Sequence, residues 1–216
     1  MKIKRKIIID LDVVIIGLWI KSDSRRQDAS KFMQRVESHE FEVIMLSSTL
    51  NLVEKWKNTE LSKNIKDFYY ENTDHFIDDS EILNYLGKHK ISSSQIIDSF
   101  LEKGIKEEDI LLILACIVAE ADYLVTFNKT HLKNNSDLIN LILKQNNLNK
   151  ISLVHPMRFN KLIDLSKPFD GIFEYCKLNF ISQLNRVHIS RYNGFVLFHK
   201  AALPSRLFKT FVQEII

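Results

Sequence analysis

Cysteine is scarce: Cys116 and Cys176 are the two thiols in 216 residues, so no disulfide framework is indicated. Cys116 sits inside an apolar run, where a thiol is usually a small core hydrophobe. No uncharged apolar stretch approaches the ~18 residues a membrane span needs. Lys2 to Lys6 make a basic start, but Asp10 and Asp12 interrupt the apolar residues behind it. No small-residue cleavage pattern follows, which argues against a signal peptide. Net charge is low as well, at +3, too little to point to nucleic acid by itself. These absences describe a soluble, cytoplasmic protein.

Enough apolar material is present to build a core. With 45% apolar and 26% charged residues, the chain reads as one globular domain with an appendage. The appendage, residues 166–216, carries the basic excess and leaves residues 1–165 nearly neutral. Its Lys177, Arg186, Arg191 and Lys200 are interleaved with Tyr175, Phe180, Tyr192 and Phe195. A basic, aromatic surface can neutralise phosphates and stack bases, although aromatics that form the core of a small added layer are the simpler reading. Asn193-Gly194 between two apolar segments is a hairpin signal.

Along the body, strands and helices alternate. Lys6 to Ile9, Phe41 to Leu46, Tyr123 to Thr126 and Ile151 to Val154 read as strands. The segments between them carry helical patterns, and residues 58 to 106 read as polar helices without a convincing strand. Alternation of this kind implies a parallel sheet with helices on both faces. Ligands bind such sheets outside the carboxyl ends of the strands. Asp10 ends the first strand and Asp12 opens the next helix, positions that turn and cap residues also favour. Glu54 lies one to two turns into the helix after the second strand. Asp109 enters an apolar helix in its first turn, where the dipole favours a carboxylate. Asp74, His75, Asp78 and Asp79 form another acidic grouping, better explained by a polar helix start than by an ion.

In order and spacing these residues resemble the PIN-domain nucleases, including the VapC-type toxin ribonucleases. Asp10-Leu11-Asp12-Val13 is similar to the motif closing that family's first strand, and Glu54 within SSTLNLVEKW matches its helix glutamate. Asp109 and Ala121-Asp122-Tyr123-Leu124-Val125-Thr126 match its third acid and the strand beyond. The resemblance covers about residues 3 to 165. It implies a three-layer α/β/α fold with a mainly parallel sheet of four to five strands, residues 1–165 forming the nuclease domain; residues 166–216, which the family does not explain, read as an extension with a possible hairpin. The chain departs from the family at Asn128, where an aspartate is usual, and at Asp12, where asparagine is usual.

The implied activity is Mg²⁺- or Mn²⁺-dependent hydrolysis of RNA, leaving a 5′-phosphate and a 3′-hydroxyl. Bound metal would reverse the repulsion between a carboxylate cluster and a phosphodiester. By the resemblance Asp10 and Asp109 are the principal metal ligands. Glu54 binds through water or orients the nucleophilic water, and Asn128 offers an amide oxygen or a supporting hydrogen bond. Asp12 helps to hold a second ion or caps its helix, whereas Asp122 is a structural cap. The implied partners are RNA, an antitoxin protein if the chain is a toxin, and a second copy in a homodimer. A non-catalytic PIN-like module that binds RNA or a protein is the alternative class.

Overall fold

In the computed structural model, which describes residues 4–164, 189–192 and 195–198, the apolar runs of the sequence become neighbouring strands. These are β1 (Arg5–Ile9), β2 (Phe41–Leu46), β3 (His75–Ile77), β4 (Tyr123–Val125) and β5 (Leu153–Val154). They form one sheet in the order β3-β2-β1-β4-β5, and every neighbouring pair is parallel. The sheet belongs to a compact unit of residues 1–160. The connections are α1 (Leu11–Leu18), α2 (Arg26–Glu37), α3 (Ser47–Glu54), α4 (Thr59–Asn72), α5 (Asp79–Lys88), α6 (Ser93–Leu101), α7 (Glu107–Val118) and α8 (Ser136–Gln145). Residues 156–164 are also helical. Among the described residues no helix is long and apolar enough to cross a membrane.

The two-residue period of a strand divides its side chains between two layers. On one face Ile8, Ile44, Leu46 and Leu124 share a core with Ile82 of α5, Phe100 of α6, Ile113 of α7 and Ile142 of α8. On the other face Phe41 and Tyr123 meet Phe159 edge-on, and Phe32 of α2 joins them. The result is the expected three-layer α/β/α arrangement. Helix α7 is apolar all round beyond its first turn because most of its surface is covered, with Leu111, Leu112 and Val118 half-buried. Ile110, Ile113, Leu114 and Ile117 are each buried there, and burying side chains of that size stabilises by roughly 1.5–3 kcal/mol apiece.

The strand β3 corrects the reading of residues 58 to 106 as strand-free. Only three residues long, it shows no alternation in sequence and is defined by its neighbour. His75, Phe76 and Ile77 pair with Ile44, Met45 and Leu46. Asp74 locks the entry: its Oδ2 accepts from the Val43 N–H at 2.8 Å, while its own N–H donates to the Val43 carbonyl at 2.8 Å. Asp78 closes a capping box with Glu81 at the start of α5, and His75 lies 3.8 Å from the Glu81 carboxylate. The grouping of Asp74, His75, Asp78 and Asp79 is thus occupied by structural work, as its helix-start pattern suggests.

Described by itself, the expected hairpin consists of β6 (Ile189–Tyr192) and β7 (Phe195–Phe198), antiparallel, with Tyr192 opposite Phe195. Cys176, Lys177, Arg186, Lys200 and the aromatic residues of the remaining extension lie outside the described residues.

One glycine is required by close packing. A Cβ at Gly17 in α1 would stand 2.6 Å from the Met33 Cγ of α2. Gly17→Ala is therefore expected to destabilise the fold by about 1–2 kcal/mol, since overpacking outweighs the better helix propensity of alanine. Urea denaturation measures this; a variant as stable as the parent would mean that Met33 repacks freely.

Candidate active site

The register decides which residues share the carboxyl edge. Ile9 pairs with Val125, and Val125 with Val154, so Asp10, Thr126 and His155 come next in line. Backbone bonds extend the ladder to them: Asp10 N–H donates to the Val125 carbonyl at 3.0 Å and Thr126 N–H to the Val154 carbonyl at 3.0 Å. Asp10 occupies the N-cap position of α1 but makes no side-chain cap hydrogen bond. Its carboxylate instead accepts from the Thr126 hydroxyl, at 2.6 Å on Oδ2. The Thr126 oxygen in turn accepts from the Asn128 N–H at 2.8 Å. The chain uses the first residue past β4 and the following turn to aim the carboxylate of Asp10.

Asp109 arrives from the opposite helix layer. Of the three acids opening α7, Glu107 and Glu108 are exposed and Asp109 is turned inward, 7% exposed. The Asn128 amide nitrogen donates to both of its oxygens, at 3.1 and 3.2 Å. The other end of that amide is committed too, since Oδ1 accepts from the His131 N–H at 3.0 Å. The two bonds together fix the orientation of the amide. Of the two roles open to Asn128, an oxygen offered to an ion or a hydrogen bond in support of an acid, the geometry displays the second.

Asp10 is 9% exposed, and burial drives its pKa up to about 6. The Thr126 hydroxyl and the nearby Asp12 amide favour the ionised form, whereas the charges of Asp12 and Asp109 oppose it. Burial also raises Asp109, against the pull of His131, the Asn128 amide and Lys106. Two carboxylates are therefore held within reach of one another's charge at a cost in the metal-free protein. Oxygen donors of this kind suit a hard divalent cation. Among the described residues no three His, Cys, Asp or Glu side chains close into a cage. Magnesium fits such a site, because it keeps several waters and binds through one or two carboxylates plus substrate oxygens.

Asp12 lies in the first turn of α1 and is exposed, on the same edge and within charge range of Asp10. Glu54, the last residue of α3, is apart from this electrostatic group. Its side chain is 53% exposed and pairs with Lys66 of α4 at 3.3 Å. Asp122 is at the opposite end of the sheet, where its Oδ2 accepts from the Lys6 N–H at 2.8 Å and its N–H donates to the Lys6 carbonyl at 2.8 Å. It is a strand cap, as its place before β4 suggests. Asp122→Ala should cost about 1 kcal/mol in chemical denaturation and leave any activity of the edge intact; lost activity in a folded variant would return Asp122 to the site.

Three features escape the sequence. Thr126 holds Asp10, and its signal is a hydroxyl at the end of an apolar strand. Tyr69 of α4 is 1% exposed and its hydroxyl has no hydrogen-bond partner among the described residues. Burial and the Asp10 charge both disfavour its ionisation, so a neutral donor stands near the acid. Arg25 is a matter of tertiary placement. Its guanidinium lies 5.0 Å from the Phe127 ring centre and is gripped by Asp23 at 2.9 and 2.6 Å.

No family model matches the chain, and no curated protein does. A chain in the crystal structure of VapBC2 from Rickettsia felis bound to a DNA fragment from their promoter is similar over 69% of this chain and 98% of its own length. Identity is 16% and the TM-score 0.42.

Proposed function

We propose that the chain is a metal-dependent endoribonuclease whose centre is the Asp10–Asp109 pair. The observation carrying this reading is the burial of both carboxylates at the carboxyl edge of the sheet, each destabilised in its charged form. At Asp10 a structural role would be served better by an asparagine, because burying a charge without a cationic partner is costly; at Asp109 the charges of His131 and Lys106 offset part of that cost. In this reading Asp10 and Asp109 bind Mg²⁺ or Mn²⁺, which when present neutralises phosphate charge, acidifies water and stabilises the leaving oxygen.

The chain's own residues supply the positioning. Thr126 fixes Asp10 through its hydroxyl, and Asn128 fixes Asp109 through its amide nitrogen. Asp12 adds negative charge at the rim. Glu54 acts through water or orients the attacking water once it is released from Lys66. As a toxin, the chain would have an antitoxin whose segment fills this acidic edge. The test is incubation of purified protein with a mixed RNA pool, with Mg²⁺, Mn²⁺ or EDTA. Metal-dependent cleavage that disappears in folded Asp10→Asn and Asp109→Asn variants is the supporting result, and undiminished cleavage by both would remove the assignment.

A second reading, a PIN-like module that binds without cutting, is favoured by one feature. Asn128 donates to Asp109 where an acid would be a further ligand. Retention of RNA without turnover would select it.

A further inference from the structure

Beside the acids, the same edge carries a positive flank. The turn after β4 is tightly built: Lys133 N–H donates to the Asn128 carbonyl at 3.0 Å and Asn134 N–H to the Lys129 carbonyl at 2.9 Å. Asn135 Nδ2 adds bonds of 3.1 Å to the carbonyls of Thr130 and His131. This one turn delivers the Asn128 amide to Asp109 and, immediately afterwards, Lys129 and Lys133 to the rim. Among the described residues neither lysine has a carboxylate partner.

Arg25 approaches the same place from the segment before α2. It is immobilised between Asp23 and the face of Phe127, and Phe127 packs edge-on against His155 at 4.9 Å. The charges of Lys133, Lys129 and Arg25 all bear on the His155 imidazole, with Asp28 opposing them. Arg25 is also within charge range of Asp12. Cations on two segments of chain, the turn after β4 and the segment before α2, thus converge beside β4 and β5, next to the acids. Two lysines without a carboxylate partner among the described residues add little to the fold itself, and beside Arg25 they suit an extended polyanion that crosses the edge.

We propose that Lys129, Lys133 and Arg25, flanked by His155, form a phosphate track that seats the RNA strand on the β4–β5 side of the acid pair. The inference rests on the ribonuclease reading for the identity of the polyanion. The track positions the backbone, so it should be indifferent to base sequence.

The test uses the full chain and a fluorescein-labelled single-stranded oligoribonucleotide, with anisotropy recorded in EDTA and in Mg²⁺ over a range of salt. The double variant Lys129→Ala/Lys133→Ala should bind roughly tenfold more weakly, and its log–log salt slope should be shallower by about 1.4, the value for two lost phosphate contacts on a single strand. A control pair on exposed helical positions, Lys63→Ala/Lys88→Ala, should change neither. Equal effects in the two pairs would overturn the track. So would a wild-type protein that fails to bind under either condition, or one that binds polyglutamate as tightly as the RNA, which would give the surface to an acidic protein. Cleavage of the same oligonucleotide separates the two claims. Lysine-dependent binding without cleavage keeps the track and removes the nuclease, whereas cleavage with an unchanged KM in the lysine variant does the reverse.

Discussion

Asp10→Asn is expected to stabilise the metal-free protein while abolishing cleavage. The folded pKa of Asp10 is about 6 against an ordinary value of 3.8, with burial as the main cause. A raised carboxyl pKa means that the unfolded chain releases its proton more easily than the native one. Well below pH 3.8 the group is neutral in both states and nothing is lost. As the pH rises from about 4 to about 6 the unfolded state gains, and stability falls. Above that window the penalty is constant, at about 3 kcal/mol for a shift of this size. Asparagine removes the charge and keeps an oxygen to accept from Thr126. In EDTA at pH 8 the variant should therefore melt higher by several degrees, since 1 kcal/mol moves Tm by about 2–4 °C at this length. The advantage should shrink steeply as the pH falls from about 6 toward about 4 and vanish below the ordinary carboxyl value. Cleavage should fall at least about a thousandfold, the several kcal/mol of transition-state stabilisation that an ion supplies. A variant destabilised at every pH would show that Asp10 serves the fold.

Asn128→Asp has the opposite signature. The substituted carboxylate still accepts from the His131 N–H but loses both donor contacts to Asp109, and it sets a second charge against the first. Without metal the fold should weaken by about 1–3 kcal/mol, the range for a buried polar group whose partner is removed. With Mn²⁺ the deficit should close, because a cation converts mutual repulsion into a chelating pair. Half-maximal cleavage should then require at least about tenfold less Mn²⁺ than in the parent, since an added carboxylate raises ion affinity. Calorimetric titration and melting with and without Mn²⁺ read both effects. A variant with parental stability in EDTA and parental Mn²⁺ affinity would show that position 128 does not face an ion.

The legible parts of this protein are those with a local cause. An unbroken β-branched run at Ile7 to Ile9 and an unbroken apolar run at Val43 to Leu46 give central strands, because only a doubly covered sheet tolerates them. A carboxylate opening an apolar helix marks Asp109, and one ending such a strand marks Asp10. What stays hidden depends on partners distant in sequence. The direction of the Asn128 amide is set by His131 on one side and Asp109 on the other. The pairing of Glu54 with Lys66 depends on the packing of α3 against α4. The strand β3 exists because β2 offers an edge. The polar environment of Thr126 becomes visible only once β1 and β4 are neighbours, and the cations around His155 belong to segments more than a hundred residues apart.

The central claim is that Asp10 and Asp109 are gathered for a divalent ion, and Mn²⁺ titration of the parent and of Asp10→Asn at pH 7.5 tests it most directly. Saturable binding to the parent, accompanied by a rise in Tm and lost in the folded variant, is the result expected. Equal binding by both proteins, or no binding by the parent, would contradict it.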